Sequence, residues 1–157
     1  MKAIVARSAN KRGIWARKTA VRWALCMAVL APGALAGQGN AELQGIIEEA
    51  RRAWLRHDFE EVVASSDTVR LHLPGVVSSA SMRPGHGAAV LEEYLESANE
   101  IAFEMRNIRV VSEDHRYAQM VRRYVVKGTS DERVETVYLG FRRLNGIWRL
   151  REVRVTP

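Results

Sequence analysis

The chain has 157 residues, with 24 Lys/Arg against 18 Asp/Glu, a formal charge of +6 and one cysteine. That balance suggests a basic protein suited to nucleic acid or an anionic membrane, but its distribution excludes the reading. Residues 1–36 hold seven of the cations and no acid, leaving 17 cations against 18 acids, so a nucleic-acid partner loses its support.

In that N-terminal segment Lys2, Arg7, Lys11, Arg12, Arg17, Lys18 and Arg22 precede the apolar run ALCMAVLAPGALA, and Ala34-Leu35-Ala36 stands before Gly37. A cationic region, an apolar run of about a dozen residues and a small-residue site make a secretory leader, cleaved after Ala36. The run is shorter than the roughly 20 apolar residues of a membrane span, and Pro32-Gly33 interrupts it. The expectation is an exported protein, periplasmic or secreted, with no stable membrane span after cleavage and a single domain over 37–157; the alternative is that the segment stays on as an uncleaved membrane anchor. Cys26 leaves with the leader, so the mature chain has no thiol, disulfide or cysteine-based metal site.

From Asn40, a reasonable N-cap, Leu43, Ile46, Ile47, Ala50 and Trp54 share one helical face. A second short helix starts at Asp58 and buries Phe59, Val62 and Val63. Val69, Leu71 and Leu73 then alternate with Arg70 and His72 in a short strand ended by Pro74-Gly75. A polar loop from Ser78 to Gly87 follows. The third helix, AAVLEEYLESA, places Val90, Leu91, Tyr94, Leu95 and Ala98 on one face.

After Glu100 the chain reads as sheet, with strands over 101–111, 117–127, 133–143 and 147–155 rich in β-branched and aromatic residues. Asn145-Gly146 marks a tight hairpin. In the last strand the apolar phase changes between Trp148/Leu150 and Val153/Val155, which predicts a bulge near Arg151-Glu152. The helical part, 37–100, has 5 basic and 11 acidic residues and the sheet part, 101–157, has 12 and 7.

The order of a helix, a short helix, a strand ending in LPG, a loop, glycine followed by AAVLEEYL, and long strands finishing in GIWRLREVRV resembles the NTF2-like (SnoaL-like, cystatin-like α+β) superfamily over roughly 40–157. Within it the chain looks most like small secreted bacterial domains of unknown function. The resemblance implies an α+β cone, in which three N-terminal helices pack on a curved antiparallel sheet of four long strands plus one short strand, often around a small apolar ligand. Its members include isomerases, dehydratases, hydrolases and many proteins without catalysis, so the fold does not supply the function. In the ketosteroid isomerase branch, the general base before the strand's proline corresponds to Leu73. The oxyanion-stabilising tyrosine corresponds, by ungapped counting from Asp58, to Ala50. Neither can move a proton or donate to an enolate. A one-residue slip would bring His72 to the base position, but strand parity turns His72 away from the face of Leu71 and Leu73.

His57, His72, His86 and His115 lack metal-ligand spacing, and no cofactor motif is found. His57-Asp58 reads as a helix junction, His86 as part of the loop, and Asp114-His115 as a solvated turn. Arg122-Arg123 and Arg142-Arg143 lie in strands, so one of each pair faces the concave side. Arg122 and Arg143 are expected either to pair with Glu48, Glu49 or Glu92 on the helices or to hold a ligand carboxylate. Pocket candidates are Trp54, Leu73, Tyr94, Phe103, Arg122, Tyr124, Tyr138 and Arg143. The sequence favours a non-catalytic domain that binds a small apolar or anionic amphipathic ligand or another protein. The alternative is an isomerase, dehydratase or hydrolase using a desolvated Glu104, Glu135 or Glu152. The Arg- and Tyr-rich convex face of the sheet is a candidate homodimer surface.

Overall fold

The structure, a computed structural model, describes residues 34–76 and 80–157, with side chains from Gly39 onward. The leader's cationic and apolar parts, together with Ser78 and Ser79 of the expected loop, lie outside the described residues. Element order is α1 (Ala34–Leu55), α2 (Phe59–Val62), β1 (Arg70–His72), α3 (Pro84–Leu95), β2 (Ala98–Ser112), β3 (His115–Val126), β4 (Glu132–Leu144) and β5 (Ile147–Thr156).

Helix α1 is already helical at Ala34, the first described residue, so Asn40 lies inside it rather than at its N-cap. It ends in a Schellman-type turn: Asp58 N–H donates to Ala53 O at 3.0 Å and His57 N–H to Trp54 O at 3.0 Å. His57 takes the positive-φ position, at 59°, where glycine is usual. Asp58 then caps α2, its Oδ1 accepting from Glu61 N–H at 3.0 Å. The His57-Asp58 pair is therefore a helix junction, as its sequence suggests.

Helix α3 starts at Pro84, whose fixed φ suits the first helical position. His86 consequently sits in its first turn, not in a loop. By sequence Gly85 and Gly87 belong to the polar loop, but Gly87 serves a close approach, since a Cβ there would collide with Val69 Cγ1. The third helix also stops at Leu95, three residues short of expectation. Lys127 N–H donates to Ser97 O at 2.8 Å, and Ala98 pairs with Val126, so strand pairing captures Ala98. Gly87→Ala is expected to destabilise the fold by about 1–3 kcal/mol through overpacking. Urea denaturation would measure it, and no change would show that Val69 can move aside.

The sheet order is β1-β5-β4-β3-β2. The four long strands are antiparallel, but β1 pairs parallel with β5, Leu71 opposite Val153, so the sheet is mixed rather than wholly antiparallel. Asn145 and Gly146, at φ 52° and 83°, form the β4–β5 turn. Gly140 faces Glu152 while Phe141 faces Leu150, leaving Arg151 as the bulged residue. This restores Trp148, Leu150, Val153 and Val155 to one buried face. Edge strand β2 has three register shifts that skip Ile101, Arg106 and Val111. Such bulges discourage edge-to-edge pairing.

The core lies between the helices and the inner sheet face. Leu43, Ile47, Ala50, Trp54, Phe59, Leu91 and Leu95 meet Phe103, Met120, Leu139, Phe141 and Leu150 there. Trp148 Nε1 donates to Gly39 O at 3.1 Å and ties α1 to the sheet. Among the described residues, no helix is long and apolar enough to cross a membrane.

Candidate functional site

Two regions gather polar chemistry: the inner end of the cone and the sheet's outer face, which turns away from the helices. Register fixes which residues each receives. On the inner side Glu100 faces Tyr124 and Glu135 faces Arg122. Arg122 is 2 % exposed and is held by strand carboxylates, not by Glu48, Glu49 or Glu92. Its Nε and Nη2 donate to Glu100 at 2.7–3.1 Å, and its Nη1 donates to Glu135 Oε2 at 2.7 Å. The guanidinium lies 3.9 Å from the Tyr124 ring centre, and Tyr124 O–H donates to the other Glu135 oxygen at 3.0 Å. Each of the three guanidinium nitrogens thus donates to a protein carboxylate. Glu48 instead pairs with Arg51 and Arg52 on its own helix.

Trp54 and Phe103 stack in the core, centroids 4.5 Å apart at 16°, with Phe59 edge-on to Trp54 at 5.7 Å. Leu73 is buried beside the rim of an open recess shared with His72, Pro74 and Val76. Ala50 is also buried, so both isomerase-type positions carry packed apolar side chains. Tyr94, half-buried on α3, lies near the Arg122 cluster. Burial first, then the Glu135 charge, pushes its phenol up to about 12. The neutral phenol is favoured by folding, so this stabilisation is present below pH about 10 and is lost as pH rises from about 10 to about 12. Ultraviolet phenolate titration should find Tyr94 among the late-ionising tyrosines, as a component that Tyr94→Phe removes. An ordinary midpoint for that tyrosine would contradict the placement.

Arg143 is half-buried, donates from Nε to Gly146 O at 2.9 Å, and borders a recess with Gly39, Arg116 and Trp148. Like Arg122, it departs from the expected pairing with helix acids. Asp114 is exposed in the β2–β3 turn and its carbonyl accepts from Arg143 N–H at 2.9 Å. Burial, then the Arg142 charge, lowers the His115 imidazole below its ordinary range.

The outer face carries three register rows. The first is Ser112, His115, Arg142 and Arg149; the second is Arg109, Tyr117, Gly140, Glu152 and Arg70; the third is Asn107, Gln119, Tyr138, Arg154 and His72. A groove of about 470 Å³ lies along the second and third rows, lined by Asn107, Arg109, Tyr117, Gln119, Tyr138 and Arg154. A recess of about 380 Å³, bordered by Arg70, His115, Tyr117, Arg142 and Glu152, adjoins it through Tyr117. Gly140 leaves room for Tyr117 to lie across it, since a Cβ would stand 2.8 Å from the Tyr117 ring. Tyr117 O–H donates to Glu152 at 2.9 Å, and burial with this bond raises the phenol's pKa.

Of the sequence's pocket candidates, the structure brings Arg122, Tyr124 and Tyr94 together, puts Trp54 and Phe103 in the core and leaves Tyr138 in the outer groove. Tyr117, Arg109 and Gln119 were missed as groove partners of Tyr138, and Arg142 as part of the adjoining recess. Counting outward from the Asn145-Gly146 turn sets Arg142 opposite Arg149, and was the available signal. Among the described residues, no group of three or more His, Cys, Asp or Glu could hold a metal ion.

No family model matches this chain, and no curated protein matches it. Solved structures do. A ketosteroid isomerase-like protein from Erwinia carotovora atroseptica SCRI1043 is similar at 19 % identity and TM-score 0.60, over 74 % of this chain and 96 % of that one. An NTF2-like protein of unknown function from Pseudomonas putida KT2440 is similar at 17 % identity and TM-score 0.57, over 76 % and 87 %. A domain of unknown function with a cystatin-like fold from Nostoc punctiforme shares 14 % identity at TM-score 0.58, over 76 % of each. The chain has the NTF2-like, cystatin-like α+β fold.

Proposed function

We propose that this chain is an exported, non-catalytic binding module whose working surface is the outer face of the sheet. One observation carries the reading: the acids that could act as bases are engaged by the protein itself. Glu135 accepts from Arg122 and Tyr124, and Glu152 from Tyr117 and Arg154, while Glu104 is exposed. An acid catalyst needs a free, desolvated carboxyl aimed at substrate. Trp54 and Phe103, two of the expected pocket residues, stack on each other as buried core, which supports a binding surface outside the cone. The export part rests on the cationic and apolar leader before Gly37.

Native mass spectrometry of the protein purified from its own host tests this. The expected species is the chain from Gly37 with a retained molecule that Arg142→Gln loses and Tyr94→Phe keeps. Loss in Tyr94→Phe alone would place binding in the cone, and an empty protein at twice the chain mass would replace ligand binding by self-association.

A further inference from the structure

The first outer-face row sets Arg142 directly opposite Arg149, two permanent cations on neighbouring strands, with His115 on the other side of Arg142 and no acid in the row. Like charges directly opposed across a sheet destabilise it. Elsewhere on this face cations have partners: Arg123 pairs with Glu132, Arg154 with Glu152, and His72 lies 3.6 Å from Glu152. Among the described residues Arg70, Arg109, Arg142 and Arg149 make no ion pair. The face is therefore positively biased where its two recesses lie. A two-fold dimer through it would set these arginines against one another, which charge complementarity opposes.

The remaining lining defines what such an anion carries. Tyr117, braced by Glu152 and lying across Gly140, offers a ring between the two recesses, and Tyr138 a second in the groove. Asn107 Nδ2 donates to Gln119 Oε1 at 3.2 Å, leaving the rest of both amides free to meet hydroxyls, beside Thr156. Aromatic faces, amides and forked guanidiniums suit a ligand with apolar ring faces, many hydroxyls and repeated carboxylates. The volumes, about 470 and about 380 Å³, are those of small-ligand sites, and together they follow an extended molecule across the strands. Resting on the outer-face binding reading, we infer that this surface binds an acidic glycan, a chain of carboxylated sugars whose carboxylates meet Arg109 and Arg142 and one of whose rings packs on Tyr117.

Calorimetric titration of the protein purified from its host, with trigalacturonate, maltotriose and hexaglutamate as probes, tests this. Trigalacturonate is expected to bind, and maltotriose about tenfold or more weakly, as loss of charge-assisted bonds implies. Hexaglutamate should also bind more weakly, having no ring face for Tyr117. Arg142→Gln is expected to weaken trigalacturonate about tenfold while keeping or raising Tm, because it relieves the opposed cations; Arg109→Lys should give a partial loss. No trigalacturonate binding, equal binding of maltotriose, or hexaglutamate binding as tightly would overturn the inference, the last in favour of an acidic peptide. If trigalacturonate fails while the host's retained molecule is still lost in Arg142→Gln, the ligand class is wrong and the outer-face module stands. Loss of that molecule only in Tyr94→Phe would sink the module reading itself.

Discussion

Replacing Arg122 by alanine is expected to cost about 3–5 kcal/mol, a large part of a domain stability of about 5–15 kcal/mol. The side chain sits at 2 % exposure between two carboxylates, of which Glu100 is 1 % and Glu135 13 % exposed. Removing the cation leaves two buried negative charges and a cavity beside the Tyr124 ring. The favourable geometry of the intact cluster does not imply a comparable net gain, because all three charges lose hydration on folding. A neutral replacement is therefore expected to recover much of the loss. Arg122→Met with Glu100→Gln and Glu135→Gln should be far closer to the parent than Arg122→Ala alone. Urea denaturation of the three proteins measures this. A cost below about 1 kcal/mol for Arg122→Ala would mean that water reaches the cluster, as at a surface pair.

Trp54→Ala is expected to cost about 3–5 kcal/mol, the usual range for removing a large buried aromatic. The indole joins α1 to α2 through Phe59 and to β2 through Phe103, so its loss opens a gap between helices and sheet. Its Nε1 is buried with no hydrogen-bond partner among the described residues, a cost already present in the parent. Trp54→Phe removes that donor while keeping a ring against Phe103, and should be much milder. The alanine variant also tests whether the cone is full. A dry apolar cavity made there should admit benzene or xenon, which the parent should not. Benzene binding equally to the parent would show that the interior already holds an apolar site.

What sequence could show here was governed by local rules. The Asn145-Gly146 turn and the bulge at Arg151 follow from backbone sterics and from an apolar phase that must stay on one face, so both were legible. The start of α3 was not, because Gly85 and Gly87 look like loop residues until Val69 is seen packed against Gly87. The parallel pairing of β1 with β5 joins residues about eighty positions apart, and no local pattern encodes it. The partners of Arg122 were hidden for a similar reason. Glu135 stands opposite it only in the register that β3 and β4 adopt, and Glu100 reaches it past a bulge in β2. Aromatic content could name Trp54, Phe103 and Tyr138 together, but burial separates the first two from the third.

The central claim is that binding takes place on the outer face of the sheet while the cone serves as packed core. Amide chemical-shift mapping of the isotope-labelled protein, purified from its own host and exposed to a concentrated small-molecule extract of that host, tests it most directly. Shifts gathered at Asn107, Tyr117, Gln119, Tyr138 and Arg142 are the predicted result. Shifts gathered at Ala50, Trp54, Leu73 and Tyr94, or no shifts at all, would contradict the account.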